Sequence, residues 1–367
     1  MLIRLFIGFL IYLIGGFPTL LYALPRDGHI VAGQGNIQTP TANDMVINQS
    51  SGQMITNWQG FSIAGRESVK FNQPNASSVA LNRVIGADPS VIMGKLSANG
   101  QVFLTNPSGI IFGQSARVDV GALVASTLQI SDRDFLDRNY RFFQDPTKPL
   151  ASILNQGNIQ AGFVGMVAPR VENQGAIVAN LGTVALASGE GATLDFSGNG
   201  LINFQITEPV NGEILDKNGN VLESGVINSG LIRANGGKVV MSARQAREMI
   251  HSVVNNTGII EAKSVVKRGG VVYLLGEGET LNEGTIDVSA REANAQPGEV
   301  KLAGAKVGLS GTILARGADN TDGGKVTLTS TEKTTLTSAG EITASGVGQS
   351  SSGGAVKVWS DGNTVYR

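Results

Sequence analysis

The chain has 367 residues, with 49 glycines, 5% aromatic residues and 16% charged residues. Its formal net charge is −1 and no basic block stands out, which argues against nucleic acid as a partner. It contains no cysteine, so disulfides, thiol nucleophiles and cysteine-ligated metals are excluded. A glycine-rich, aliphatic, weakly charged chain suits many short strands joined by tight turns.

Residues 1–23 read as a signal peptide. Arg4 supplies the positive charge, Leu5 to Leu21 form an apolar run broken by Gly15, Gly16 and Pro18, and Ala23 is a small residue for cleavage. The same run approaches membrane-spanning length, so an uncleaved anchor is the competing reading. Short apolar segments follow. They include Gly28-His29-Ile30-Val31-Ala32-Gly33, Val46-Ile47-Asn48-Gln49, Asn57-Trp58-Gln59-Gly60-Phe61 and Val69-Lys70-Phe71-Asn72. Ser78 to Val84 and Gly94 to Gly100 continue the series. Gly100-Gln101-Val102-Phe103-Leu104 then leads into Asn106-Pro107-Ser108-Gly109, and Ile110-Ile111-Phe112 leads out. Proline presets φ for such a turn, and glycine tolerates a positive φ at its end.

This run resembles the NPNG-type signature of the secretion domain of filamentous-haemagglutinin-like exoproteins, which leave the cell by two-partner secretion. It departs from that signature at Ser108, where asparagine is usual. Leu24-Pro25 and the segments just quoted also follow the family's order, over residues 24–206. The resemblance implies export through a dedicated outer-membrane barrel with periplasmic docking domains, after passage of the Sec translocon. It implies recognition or early folding at Asn106, Pro107, Ser108, Gly109, Ile110 and Phe112. It further implies a right-handed parallel β-helix at the cell surface or in the medium, with an N-terminal cap at residues 25 to about 50. Adhesin or haemagglutinin activity is the family's default. Haem scavenging and contact-dependent toxin delivery are alternatives.

The residues point to a solenoid independently. Asn-x-Gly-x-Ile units recur at Asn155, Asn173, Asn228, Asn256 and Asn282, and Gly311 and Gly340 continue the series without the asparagine. The spacings are 18 residues for the first pair and 26–29 across the later coils. Each period holds at least two strands and no helical pattern, which fits one coil of a parallel β-helix better than a propeller blade. One coil cannot bury enough to order itself, so the stack must share a core. The corner asparagines are expected to stack as a ladder, and a left-handed backbone is open to them. The expected division is a secretion domain at 24–206, a projecting hairpin at 207–224 and repeats at 225–367. No cap pattern precedes Arg367, which suggests a fragment or a short product.

Two segments interrupt the repeat. Ser131 to Leu150 mixes Asp132, Asp134 and Asp137 with Arg133, Arg138 and Arg141 and four aromatic residues. Ser131-x-x-Asp134 could open a short helix there, with the aromatics covering the rod. Asn218-Gly219 between apolar pairs signals a hairpin.

Little points to catalysis, and no enzyme activity or cofactor is expected. His29 and His251 are the only histidines, and no local motif supports a triad. Ser264-x-x-Lys267 lacks the partner motifs of a serine acyl-enzyme. Asp319-Asn320-Thr321-Asp322 resembles part of a calcium loop but lacks the distant glutamate, and reads as a polar turn. The aspartates at 132, 134 and 137 read as partners of nearby arginines, Trp58 as core, and Asp27 and Asp88 as turn residues. A β-helix polysaccharide-degrading enzyme is the remote rival, and the scattered carboxylates speak against it.

Overall fold

The computed structural model describes residues 24–195, 203–215, 219–222, 224–244, 252–265 and 269–367. The expected signal peptide, His251 and Lys267 lie outside them. The described chain is all-β apart from one short helix. Its main sheet is a parallel β-helix, in which each coil pairs in register with the coils before and after it.

Three columns of strands form the walls, and the aliphatic pattern of each strand explains its place. One wall runs through Met45, Val69, Leu96, Val118, Ile159, Ile177, Ile232, Ile260, Ile286, Ile313 and Ile342, each opposite the next. A second runs through Val102, Leu123, Val164, Val184, Val239, Val272, Val300 and Val326. The third carries Ile110, Ile153, Val171, Val226 and Val254. Strand alternation turns these residues inward, and nearly all of them are fully buried in one continuous core. A one-residue slip would turn a whole column outward, so burial fixes the register.

The repeat unit maps onto a corner. In the coil around Asn256, the strand Ser252–Asn256 ends one wall, a turn follows, and Ile259–Glu261 begins the next. The coil between Asn155 and Asn173 is shorter because the strand Asn158–Ala168 runs unbroken across two walls. The corner asparagines stack as expected. Asn155 Nδ2 donates to Asn173 Oδ1 at 2.7 Å, Asn173 to Asn228 at 2.7 Å, Asn228 to Asn256 at 2.7 Å and Asn256 to Asn282 at 2.8 Å. All five are fully buried. Their backbone is not left-handed, because none has a positive φ. The glycine two residues on is required by close stacking instead. A Cβ on Gly258 would lie 2.2 Å from the Gly230 carbonyl oxygen, and one on Gly284 would lie 2.1 Å from that of Gly258.

The N-terminal cap is present. His29–Ala32 pairs antiparallel with Gln53–Trp58, and Gly35–Thr41 pairs antiparallel with Asp44–Gln49. The change from parallel to antiparallel pairing covers the first coil, and the polar outer strand Gly35–Thr41 carries Pro40, so the end resists further pairing. Trp58 is core, with its Nε1 donating to Asn82 Oδ1 at 3.1 Å and its ring edge-on to Phe61 at 5.5 Å.

The first interruption covers the rod as expected, with one addition, while Asn218 of the second lies outside the described residues and residues 207–208 end a strand of that addition. Ser131 caps the helix Asp132–Leu136 by accepting a bond from the Asp134 amide. Ile214–Leu215 pairs with Val221–Leu222 as a hairpin. The addition is a separate four-stranded antiparallel sheet. Tyr140–Phe143 lies between Gln129–Ile130 and Gly191–Asp195, and Asn203–Glu208 forms its far edge. This sheet and the helix lie against an outer wall of the rod and seal a second core. Ile55, Leu81, Phe103, Val124 and Phe163 of the wall pack there with Phe135, Tyr140, Phe142 and Leu194.

Candidate functional site: the Asn106–Gly109 corner

The corner begins where the strand Gln101–Thr105 ends and closes where Ile110–Phe112 begins. The Gly109 amide donates to the Asn106 carbonyl at 3.1 Å, which makes a four-residue turn. The Asn106 side chain organises it. Its Oδ1 accepts from the Ser108 amide at 2.9 Å, an Asx turn. Its Nδ2 donates to the Asp88 carbonyl and to Ser90 Oγ, each at 3.0 Å. Its own amide donates to the Ser126 carbonyl at 2.9 Å. Asn106 is fully buried and so ties three successive stretches of chain together.

Gly109 has a φ of +110° and its carbonyl accepts from the Ser90 amide at 3.0 Å. A Cβ there would find ordinary room, so the glycine is required by its backbone and not by space. Pro107 is buried and Ser108 half-buried. Ile110 and Phe112 point into the core and are fully buried. The strand Ile110–Phe112 pairs with Ser90–Ile92 on one side and Ser152–Asn155 on the other. The six residues singled out in the sequence therefore form one unit, and it is mostly interior. In the folded chain it offers Ser108 and little else to a partner.

The other candidates disperse. His29 is exposed in the cap. Asp132 pairs with Arg83 of the rod at 2.6 Å, which sequence proximity did not indicate. Asp134 pairs with Arg141 at 2.9 Å, and hydrogen bonds from Arg141 and Ser131 hold its carboxyl below the usual range. Asp137 pairs with Arg133 at 3.5 Å, while Arg138 sits at a φ of +57° and has no ion pair among the described residues. Asp322 accepts from the Ser352 amide, joining neighbouring turns. Ser264 lies among the described residues, whereas Lys267 does not. The Ser264 Oγ accepts from the Arg291 amide at 2.9 Å, another coil-to-coil bond.

A charged ladder escaped the sequence reading. Glu261 accepts from Arg233 at 2.6 Å and from Lys263 at 3.1 Å, and Lys263 also reaches Asp287 at 3.0 Å. Burial opposes ionisation of Glu261, but these hydrogen bonds and positive charges outweigh it and hold its carboxyl below the usual range. Arg233, Glu261 and Asp287 stand in register on adjacent coils, a fact visible only once the period is known.

The described chain is thus a capped parallel β-helix with this corner in its early coils. The sequence model of the TPS secretion domain matches residues 24–288, and the chain belongs to that family of two-partner secretion exoproteins. It is 27% identical to the HMW1 secretion domain from Haemophilus influenzae, with a TM-score of 0.76 over 93% of this chain and 98% of that one. It is 32% identical over 282 residues to a heme/hemopexin-binding protein of Haemophilus influenzae, covering 70% of this chain. A second such protein, from strain Rd of that species, is 34% identical over 267 residues. The aligned part spans only 29% and 28% of those relatives' length. Proteins of this family are exported, and each has a dedicated outer-membrane transporter as its partner.

Proposed function

We propose that this chain is the export and folding head of a secreted binding protein, brought to the periplasm by residues 1–23 through the Sec translocon. The transporter takes it up unfolded, and the Asn106–Gly109 corner sets the first complete coils as they emerge. The burial of Asn106 carries this reading. Its side chain is spent on Asp88, Ser90 and Ser108, so any direct recognition of it takes place before folding. The protein works by binding and not by catalysis.

Export of variants tests the corner. Asn106→Ala and Gly109→Val are expected to block release, and Ser108→Asn to be tolerated. The valine places a β-branched residue at positive φ, a strain of about 1–3 kcal/mol. A Gly109→Val chain that refolds like wild type in vitro but stays in the periplasm supports recognition of the unfolded corner. Normal secretion of both blocking variants refutes the role.

The cargo reading follows the relatives. Their identity favours capture of haem or a haem carrier over the family default of adhesion. The purified chain is tested for binding to immobilised hemopexin and to haem. Binding to neither, alongside attachment to host cells, returns adhesion as the activity.

A further inference from the structure

The fold gathers lysines that the sequence scatters. Residues that alternate outward on one wall stand in three columns. One holds Tyr273, Lys301, Thr327 and Lys357 in successive coils. Beside it run Lys238, Val271, Glu299 and Lys325, and on the other side Leu275, Ala303, Thr329 and Trp359. Glu299 is the one carboxylate in these columns, and it pairs with Lys325 at 3.2 Å. Lys301, Lys238 and Lys357 have no ion pair among the described residues. Lys238 lies 5.7 Å from the Tyr273 ring centre and Lys357 lies 5.9 Å from that of Trp359. Trp359 is in register with Thr329 and points outward from the same wall.

A groove of about 420 Å³ runs along the edge of the same wall. Its floor includes Gly270, Gly298 and Gly324, which stack so closely that a Cβ on Gly298 would meet the Gly270 carbonyl oxygen at 2.0 Å. No side chain can rise from that floor. Glu299 and Lys325 stand at its rim.

We propose that this wall binds an acidic polysaccharide lying along the rod, across the coils from Lys238 to Trp359. Strands in a sheet are about 4.8 Å apart, so Lys301 and Lys357, two coils apart in one column, repeat at about 9.6 Å along the axis. That spacing suits a glycan with an acidic group on every second sugar. Tyr273 and Trp359 are three coils apart, about 14 Å along the axis, and offer ring faces to sugars near each end. The net positive columns supply charge complementarity. This inference is independent of the haem reading.

The test uses the full chain and hyaluronan oligosaccharides, which carry one carboxylate per disaccharide. Titration calorimetry is expected to show binding that weakens with salt. The double variant Lys301→Ala/Lys357→Ala is expected to lose about tenfold or more in affinity. The double variant Tyr273→Ala/Trp359→Ala should weaken hyaluronan binding while leaving any binding of polyglutamate unchanged. Circular dichroism and a thermal melt matching wild type confirm that these outward substitutions, half-buried at Tyr273 and Lys301, leave the fold intact. Absence of hyaluronan binding overturns the proposal. So does equal binding of polyglutamate with no effect of the aromatic variants, which reduces the wall to a nonspecific cation. Tighter binding to phosphatidylglycerol vesicles than to the glycan overturns it in favour of a membrane surface.

Discussion

Asn228→Ala tests the buried asparagine ladder at its centre. In the native chain Asn228 accepts from Asn173 and donates to Asn256, both at 2.7 Å, and is fully buried. The alanine removes two neutral hydrogen bonds, about 2 kcal/mol together, and leaves Asn256 Oδ1 with no donor, a further 1–3 kcal/mol or so. Asn173 Nδ2 keeps only long contacts to the Gly175 and Leu231 carbonyls, at 3.4 and 3.5 Å. The expected loss is therefore about 3–5 kcal/mol. An internal comparison lies on the surface. Asn36, Asn48 and Asn72 form the same kind of ladder, at 2.9 and 2.8 Å, but with its outer members exposed. Water replaces the lost partners there, so Asn48→Ala is expected to cost under about 1 kcal/mol.

Equilibrium denaturation in urea, followed by circular dichroism, measures both variants. Solenoids can lose cooperativity between repeats, so the slope of the transition is compared before midpoints are converted to energies. A double-mutant cycle of Asn228→Ala with Asn256→Ala should show coupling of about 0.5–3 kcal/mol. If Asn228→Ala costs no more than Asn48→Ala, the buried ladder is filler and this reasoning fails.

Gly258→Ala places a Cβ 2.2 Å from the Gly230 carbonyl oxygen in a column that cannot spread, and is expected to cost about 1–3 kcal/mol by the same assay. The charged ladder makes stability depend on acid. The Glu261 carboxyl is held below its ordinary value of 4.5, so its contribution is complete above that pH and is lost as pH falls through the lower folded value. Glu261→Gln should flatten the fall of the denaturation midpoint below pH 4.5, and an unchanged acid limb would refute the assignment. Lys263 acts in the opposite sense. Its hydrogen bonds to Asp287 and Glu261 outweigh burial and raise its pKa above 10.5, so its contribution holds at neutral pH and fades only in strong alkali.

Much of the fold was legible because a solenoid writes its period into the sequence. The Asn-x-Gly-x-Ile units gave the coil, the corner and the ladder, since each coil repeats the same inward positions. The backbone of those asparagines was misjudged because turn preference was weighed while stacking distance was unseen. The side sheet was missed for a different reason. Gly191–Asp195 has the alternating, small-residue pattern of any coil strand, and only its pairing with Tyr140–Phe143 places it outside the rod. The lysine wall was hidden because Lys238, Lys301, Lys325 and Lys357 span 120 residues of chain, with no local charge run among them. Asp132 was paired by sequence with neighbouring arginines, whereas the excursion folds back to bring it to Arg83.

The side sheet gives the emerging chain an order of events. From the strand Asp44–Gln49 onward, each coil pairs with one already laid down, so the rod grows with local contacts and each step needs only what precedes it. Tyr140–Phe143 is the exception. Its inner partner Gln129–Ile130 precedes it, but its long partner Gly191–Asp195 arrives only after a further two coils, and the last edge comes with Asn203–Glu208. Until then Phe142 and the outward Phe163 lack part of their cover, because Ala192 and Leu194 complete that second core. The main core can therefore close coil by coil from the cap, while the second core closes only once the chain has emerged past Glu208. Substitutions in the two cores should separate accordingly. Val164, inside the rod, bears on early coil formation, and Leu194, under the side sheet, bears on a later and local closure. Amide exchange on the folded chain should show Tyr140–Phe143 and Gly191–Asp195 opening together in Leu194→Ala, with the strand Asn158–Ala168 still protected. Simultaneous loss of protection in all three strands would mean that the two cores form one cooperative unit.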